Sequence, residues 1–74
     1  MQPNNSIIKY YLKRWTIQNR YQYDIHQVFA GNFTWVEATP ITKGIVRCAD
    51  SETELRILLE NDAINMDRFA QKVR

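Results

Sequence analysis

The chain has 74 residues and a formal net charge of +2, and 45% of its residues are apolar. This length allows one small domain, and the apolar share is too high for a disordered chain. One cysteine and one histidine exclude an internal disulfide and a closed four-ligand zinc site within a single chain. The apolar runs are only a few residues long, which predicts no membrane span, and a free thiol is typical of a reducing, cytoplasmic setting.

The first predicted element is residues 7–17, IIKYYLKRWTI, which mixes apolar, aromatic and basic side chains. Isoleucine, tyrosine and tryptophan favour a β-strand, and the segment has no alanine to favour a helix. A strand would place Ile8, Tyr10 and Leu12 on one face and the odd-numbered residues on the other. The alternative is an amphipathic helix over the same residues, because their apolar side chains also recur at helical spacing.

The middle of the chain predicts three more strands. IQNR provides a hairpin turn into YQYDIHQVF, and AGN provides the next turn. Four residues of YQYDIHQVF are expected to share one face: Tyr21, Tyr23, Ile25 and Phe29. FTWVEA and GIVRCA are two short strands, separated by TPITK with Pro40 as a breaker. In GIVRCA, Cys48 is predicted to be a small buried residue.

The C-terminal part predicts two helices. In DSETELRILLEND, Ser51 and Glu54 form an S-x-x-E capping box that begins a helix at 52–61. Its apolar face consists of Leu55, Leu58 and Leu59, and its solvent side consists of Glu52, Arg56 and Glu60. INMDRFAQKVR predicts a second, shorter helix with an apolar stripe of Met66, Phe69, Ala70 and Val73.

The predicted fold is therefore α+β, a four-stranded antiparallel sheet backed on one face by two helices in the order β-β-β-β-α-α. We expect a single domain over residues 1–74 with a flexible N-terminus at 1–6. The charges are unevenly distributed: residues 1–23 carry four bases and no acid, whereas residues 50–62 carry five acids and one base. This pattern predicts a basic side and an acidic side of the molecule.

Catalysis is not expected from these residues. Asp24 and His26 should share a strand face, where a carboxylate can orient an imidazole, and Cys48 is a candidate nucleophile. A surface ion pair and a packed strand cysteine explain the same residues more simply. With only two glycines, the chain has no glycine-rich phosphate cradle, and we expect neither a cofactor nor a metal.

A sheet face that carries lysine beside tyrosine predicts an amphipathic binding surface. The preferred partner is a protein. A small nucleic-acid-binding regulatory protein is the alternative function, because basic and aromatic side chains on a sheet face can contact phosphates and stack on bases. A third possibility is self-association through an exposed patch of Trp15, Phe33 and Trp35.

Three segments, IIKYYL, WVEA and DSETEL, resemble a family of small phage-encoded anti-CRISPR proteins that target the type I-F surveillance complex. The first is similar to the family's opening Ile-Lys-Tyr strand, and the second to a Val-Glu step on a central strand. The third is similar to an Asp-Ser-Thr helix start. The family fold, a four-stranded antiparallel sheet backed by two helices, agrees with the predicted order of elements.

The resemblance implies a non-enzymatic inhibitor that acts in the host cytoplasm. It would dock on the backbone subunits that line the CRISPR RNA and block target DNA binding. Tyr10 and Glu37 match family contact residues, and Phe29 stands where the family has a tyrosine, so that contact loses a hydroxyl. With Lys9 and Lys13, these are the predicted protein-binding residues. A membrane or small-molecule partner is not expected, and the protein would be a monomer or a homodimer.

Overall fold

The computed structural model describes residues 6–72, which form four strands followed by one helix. The elements are β1 (Ile7–Ile17), β2 (Tyr21–Ala30), β3 (Phe33–Pro40), β4 (Arg47–Ala49) and α1 (Glu52–Lys72). The strands form one antiparallel sheet in the order β1-β2-β3-β4. The α+β class and the strand at 7–17 are confirmed, and the helical alternative for that segment is wrong. Residues 1–5 of the N-terminus that we expected to be flexible lie outside the described residues.

The first hairpin turns at the predicted IQNR segment. Gln18 and Asn19 have φ angles of 55° and 56°, and the amide of Arg20 donates a hydrogen bond to the carbonyl of Ile17 at 3.1 Å. Positive φ at both central residues is the signature of a type I′ turn, whose twist matches that of paired strands. This turn fixes the register in which Ile17 pairs with Tyr21.

A β-bulge in β1 changes which side chains share a face. Tyr11 pairs with His26 and Lys13 pairs with Ile25, so Leu12 is an extra residue in β1. Because an extra residue shifts the alternation, Lys9 and Tyr11 lie on the face opposite that of Lys13, Trp15 and Ile17. The predicted single odd-numbered face of β1 is therefore wrong.

The core lies between α1 and the half of the sheet that adjoins the β1–β2 turn. Eight buried side chains form it: Ile17, Tyr23, Ile25, Val36, Ala38, Leu55, Leu59 and Ala63.

Ser51 caps the helix as predicted, since its Oγ accepts a hydrogen bond from the amide of Glu54 at 3.3 Å. Leu55 and Leu59 project from the predicted apolar face, and each fully buried side chain of this size contributes about 1.5–3 kcal/mol.

The helix α1 is continuous, so the predicted division into two helices is wrong. The residues between the two predicted helices include neither glycine nor proline, and Asn or Asp costs a helix only about 0.7 kcal/mol. Tertiary contacts outweigh this cost. Arg47 donates two hydrogen bonds to the Asp62 carboxylate, at 2.7 Å and 2.9 Å, and Ala63 is fully buried.

The predicted apolar stripe at the end of the helix does not pack on the core. Met66, Phe69 and Ala70 are exposed, and Val73 lies outside the described residues. This part of α1 is held by polar contacts instead, because Arg20 and Tyr21 each donate a hydrogen bond to Asp67 Oδ1 at 2.8 Å.

The predicted solvent side of the helix lies along β1. Glu52 accepts a hydrogen bond from Lys13 at 2.8 Å, and Glu60 accepts one from Gln18 at 2.9 Å. The guanidinium carbon of Arg56 is 5.3 Å from the centroid of the Trp15 ring. These contacts show that α1 runs in the same direction as β1, from the level of Lys13 towards the β1–β2 turn.

Replacing Leu59 with alanine should lower the free energy of unfolding by about 3 kcal/mol, because it removes buried methyl groups and leaves a cavity. Ile57→Ala is the matched control, since Ile57 is 56% exposed on the same helix, and its effect should stay within about 0.5 kcal/mol. Urea unfolding followed by circular dichroism measures both. Equal losses for the two variants would contradict this description of the core.

Candidate protein-binding surface

The helix covers only part of the sheet. Because α1 begins at the level of Lys13, the strand ends beyond it form an uncovered region, which we call the distal sheet: residues 7–11, 27–30 and 33–35. Val28 is buried within this region and Trp35 is partly buried, but six other large apolar side chains are between 40% (Phe29) and 73% (Phe33) exposed. They are Ile7, Ile8, Tyr10, Tyr11, Phe29 and Phe33. The distal sheet therefore presents apolar and aromatic side chains to solvent on both of its faces.

On the helix side of the distal sheet, two aromatic rings form a pair. Tyr10 and Phe29 meet edge to face, with ring centroids 5.7 Å apart and planes at 81°. Ile8 lies directly opposite Phe29 in the β1–β2 register and shares their face. An edge-to-face aromatic pair holds both rings in one orientation, so these three side chains form a preorganised apolar surface.

The opposite face of the sheet, which we call the open face, carries an ion pair at its centre. Lys9 Nζ lies 2.8 Å from Glu37 Oε1, and the Glu37 side chain is only 13% exposed. Cys48, which pairs with Glu37 in the β3–β4 register, has its Sγ 3.8 Å from Glu37 Oε2. Contrary to the sequence prediction, Cys48 is exposed, because β4 is a short edge strand without a helix over this face.

The Cys48 thiol is a poor nucleophile in this position. Although the residue as a whole is exposed, partial desolvation of its sulfur and then the negative charge of Glu37 raise the pKa of Cys48 above its ordinary value of 9.0. The thiolate is the reactive form, so the thiol is mostly protonated and unreactive at neutral pH.

Asp24 and His26 share the open face, as their spacing predicts, but Asp24 forms an ion pair with Arg14 and no hydrogen bond with His26. Arg14 Nε donates a hydrogen bond to Asp24 Oδ1 at 2.8 Å, which lowers the pKa of Asp24 below its ordinary value of 3.8. His26 instead meets the edge of the Tyr11 ring, with ring centroids 5.7 Å apart. Asp24 is therefore engaged as an ion-pair partner rather than as an orienting group for the imidazole.

The basic residues of β1 all have acidic partners within the chain. Lys9 pairs with Glu37, Lys13 with Glu52 and Arg14 with Asp24, each at 2.8 Å. The predicted basic side and acidic side are therefore wrong, because the fold brings the basic strand against acidic residues of the sheet and of α1. Basic and acidic residues that are separated along the sequence are therefore paired in the folded structure.

The five predicted binding residues do not form one continuous site. Tyr10 and Phe29 lie together on the helix side, Lys9 and Glu37 are paired on the open face, and Lys13 is paired at the start of α1. The suggested patch of three aromatic residues is also divided, because Trp15 packs at the margin of the core while Phe33 and Trp35 belong to the distal sheet.

The exposed residues Ile7, Ile8, Tyr11 and Phe33 were not among the predicted site residues. Ile7, Tyr11 and Phe33 are exposed because they lie on the open face, opposite α1. The exposure of Ile8 follows instead from where the helix begins. The capping box at Ser51 locates that point along the sequence, but the contact between Glu52 and Lys13 is needed to locate it on the sheet.

Comparisons with models of protein families, with curated proteins and with solved structures found no match to this chain. Within residues 6–72, no helix is long and apolar enough to cross a membrane. The same residues contain no group of three or more histidine, cysteine or acidic side chains that could hold a metal ion.

The Arg14–Asp24 pair should make stability depend on pH in the acid range. Because the folded pKa of Asp24 lies below its ordinary value, the pair stabilises the protein above pH 3.8, and this contribution is lost as the pH falls through the folded pKa. Asp24→Asn should therefore lower the thermal midpoint at neutral pH and have less effect at about pH 2. Arg14→Gln should show the same pattern. An equal shift at both pH values would contradict it.

The pKa of Cys48 can be measured from the pH dependence of its alkylation by iodoacetamide. We expect a midpoint above 9.0 for the unaltered protein. Glu37→Gln should move the midpoint down and speed alkylation at neutral pH, since it removes a negative charge that opposes thiolate formation. Asp50→Asn removes another carboxylate next to β4 that is not among the groups shifting the pKa of Cys48, so it should leave the midpoint unchanged. A midpoint that Glu37→Gln leaves in place would show that Glu37 does not act on the thiol.

Proposed function

We propose that this protein is a non-enzymatic inhibitor that binds a protein partner through the distal sheet. The observation that supports this proposal is the exposure of apolar and aromatic side chains on both faces of three strand ends that α1 leaves uncovered. Exposed apolar surfaces of this kind mark sites of interaction with other proteins.

The helix side of the distal sheet is the stronger part of this surface. Tyr10 and Phe29 offer large contact areas whose orientation is already fixed by their edge-to-face contact. Rigid aromatic side chains lose little conformational entropy on binding, and tyrosine is enriched among the residues that dominate binding energy. Residues 7–11 of β1 also form the edge of the sheet, where a partner strand can add backbone hydrogen bonds.

The suggested partner is the type I-F CRISPR surveillance complex, and the suggested action is to block target DNA binding in the host cytoplasm. This suggestion rests on the resemblance of the segments around Tyr10 and Glu37 to the anti-CRISPR family. Because these residues lie on opposite faces, Tyr10 and Phe29 would make the main contact. Glu37 would contribute only if a lysine or arginine of the partner replaced Lys9.

A binding role is supported over catalysis by the state of the candidate catalytic groups. The Cys48 thiol has a raised pKa, and Asp24 is held by Arg14. Cys48 is therefore not activated as a nucleophile, and Asp24 is not free to orient the His26 imidazole.

Nucleic-acid binding is less well supported. Its affinity depends on basic side chains that can neutralise phosphates. Lys9, Lys13 and Arg14 are already paired with carboxylates, and these pairs would have to break before a phosphate could replace the carboxylates.

The test is a type I-F interference assay in bacteria that express this protein or a variant. The unaltered protein should protect phage from clearance. Tyr10→Ala should weaken partner binding roughly thirtyfold, the effect of losing about 2 kcal/mol at a binding hot spot, and should reduce protection accordingly. Phe69→Ala is the matched control, because Phe69 is an exposed aromatic residue on α1, away from the distal sheet.

Thermal unfolding of both variants separates binding from folding. Tyr10 is more than half exposed, so its replacement should leave the unfolding midpoint nearly unchanged. Undiminished clearance of phage in the presence of the unaltered protein would rule out the inhibitor assignment for that system. Binding to DNA or RNA that weakens steeply with salt would favour the nucleic-acid alternative.

A further inference from the structure

A cleft of about 470 Å³ lies away from the distal sheet, between α1 and the β3–β4 connection at residues 41–46. We propose that this cleft binds a small amphipathic anion, a ligand with one carboxylate and an apolar body. The volume falls within the range of about 300–1,000 Å³ that is usual for small-molecule sites. The proposal is independent of the inhibitory function, because it concerns a different part of the molecule.

The walls of the cleft suit an apolar body. They include the buried ring of Tyr23 and the side chains of Pro40, Ile45 and Met66. Ile45 is 71% exposed and Met66 is 39% exposed, so a ligand that enters the cleft would remove apolar surface of both side chains from water. Removal of that surface from water favours binding.

The β3–β4 connection is held in place without a ligand. The amide of Ile41 donates a hydrogen bond to the carbonyl of Gln22 at 3.0 Å, which anchors the start of the connection to β2. Gly44 packs closely on Pro40, since a Cβ at Gly44 would lie only 3.1 Å from Pro40 Cγ. The cleft is therefore preformed, and a ligand does not have to order this segment.

The charges that line the cleft favour an anion. Arg20, Lys43 and Arg47 are cationic, whereas Asp62 is the one acidic residue among the lining side chains of the described chain. Arg20 is paired with Asp67 and Arg47 with Asp62. Lys43 forms no ion pair with any residue in 6–72, so its ammonium group is available to a ligand carboxylate.

Tyr23 adds a hydrogen-bond donor to the cleft. Its hydroxyl has no hydrogen-bond partner among the described residues. Burial, reinforced by the negative charge of Asp62, raises the pKa of Tyr23, so the hydroxyl keeps its proton. The lining of the cleft therefore includes an ammonium group, from Lys43, and a hydroxyl group, from Tyr23, that can serve as donors to a ligand carboxylate.

The proposal can be tested by titrating the full chain, labelled with nitrogen-15, with phenylbutanoate and recording amide chemical shifts. 3-Phenylpropylammonium is the matched probe, because it has the same phenyl group and the same three methylenes with the opposite charge. Saturable shifts should concentrate at the cleft, around Tyr23, Ile45 and Met66, with residues 7–11 unchanged. The carboxylate should bind more tightly than the ammonium.

Two variants test the assigned contacts. Lys43→Gln should weaken phenylbutanoate binding about two- to fivefold, which is the range expected for an exposed ion pair. Arg68→Gln is the control, because it removes another cation that has no ion pair in the described chain. It should leave phenylbutanoate binding unchanged. Ile45→Asp should weaken binding at least about tenfold, because it replaces apolar wall with a carboxylate. All three altered residues are exposed, so the fold should be retained, and the amide spectrum verifies this.

Several results would overturn the proposal. They are the absence of saturable shifts, shifts centred on the distal sheet, equal affinity for the two probes, or equal effects of Lys43→Gln and Arg68→Gln. Lys43→Gln should also retain full activity in the interference assay. Failure of ligand binding and failure of inhibition are therefore separate outcomes.

Discussion

The packing of Leu55, Leu59 and Ala63 on one half of the sheet is the interaction on which the rest of this structure depends. A single cysteine allows no internal disulfide, and residues 6–72 contain one helix, so the hydrophobic core of the described chain is formed between this helix and the sheet. One helix cannot cover three long strands from end to end. The half of the sheet under α1 becomes the core, the other half stays exposed, and the β3–β4 connection borders the far end of α1. The two proposed binding regions are thus direct results of where one helix lies.

Ion pairs determine what that exposed half can recognise. Each cation of β1 has a carboxylate partner, two within the sheet and one on α1. Exposed pairs of this type contribute only about 0–1 kcal/mol each, so they are not the main source of stability. Their larger effect is to remove free positive charge from the strand. What remains for recognition is mainly the apolar and aromatic surface, which is better matched to a protein than to a phosphate backbone.

Features that depend on local sequence could be predicted, and features that depend on distant contacts could not. The strand at 7–17, the IQNR turn and the Ser51 cap follow from propensity and from short-range hydrogen bonds. The bulge at Leu12 could not be predicted, because the order of apolar and polar side chains in β1 does not show an extra residue there. The continuity of α1 depends on the Arg47–Asp62 contact between two elements. For the candidate surface, the separation of Tyr10 from Lys9 follows from regular strand alternation, but the separation of Lys13 from Lys9 depends on the bulge.

The bulge also makes β1 tolerant of the loss of one codon at a defined position. Leu12 is the residue of β1 that has no partner in β2, so deletion of its codon would leave the pairs Tyr11–His26 and Lys13–Ile25 in place and would join them into a regular ladder. Ile8 and Tyr10 would stay on the helix side, and Lys9 and Tyr11 would stay on the open face. Deletion of one codon at this position would thus preserve both the exposed surface and the residues that keep the protein folded, whereas a deletion after Lys13 would shift the strand against the core.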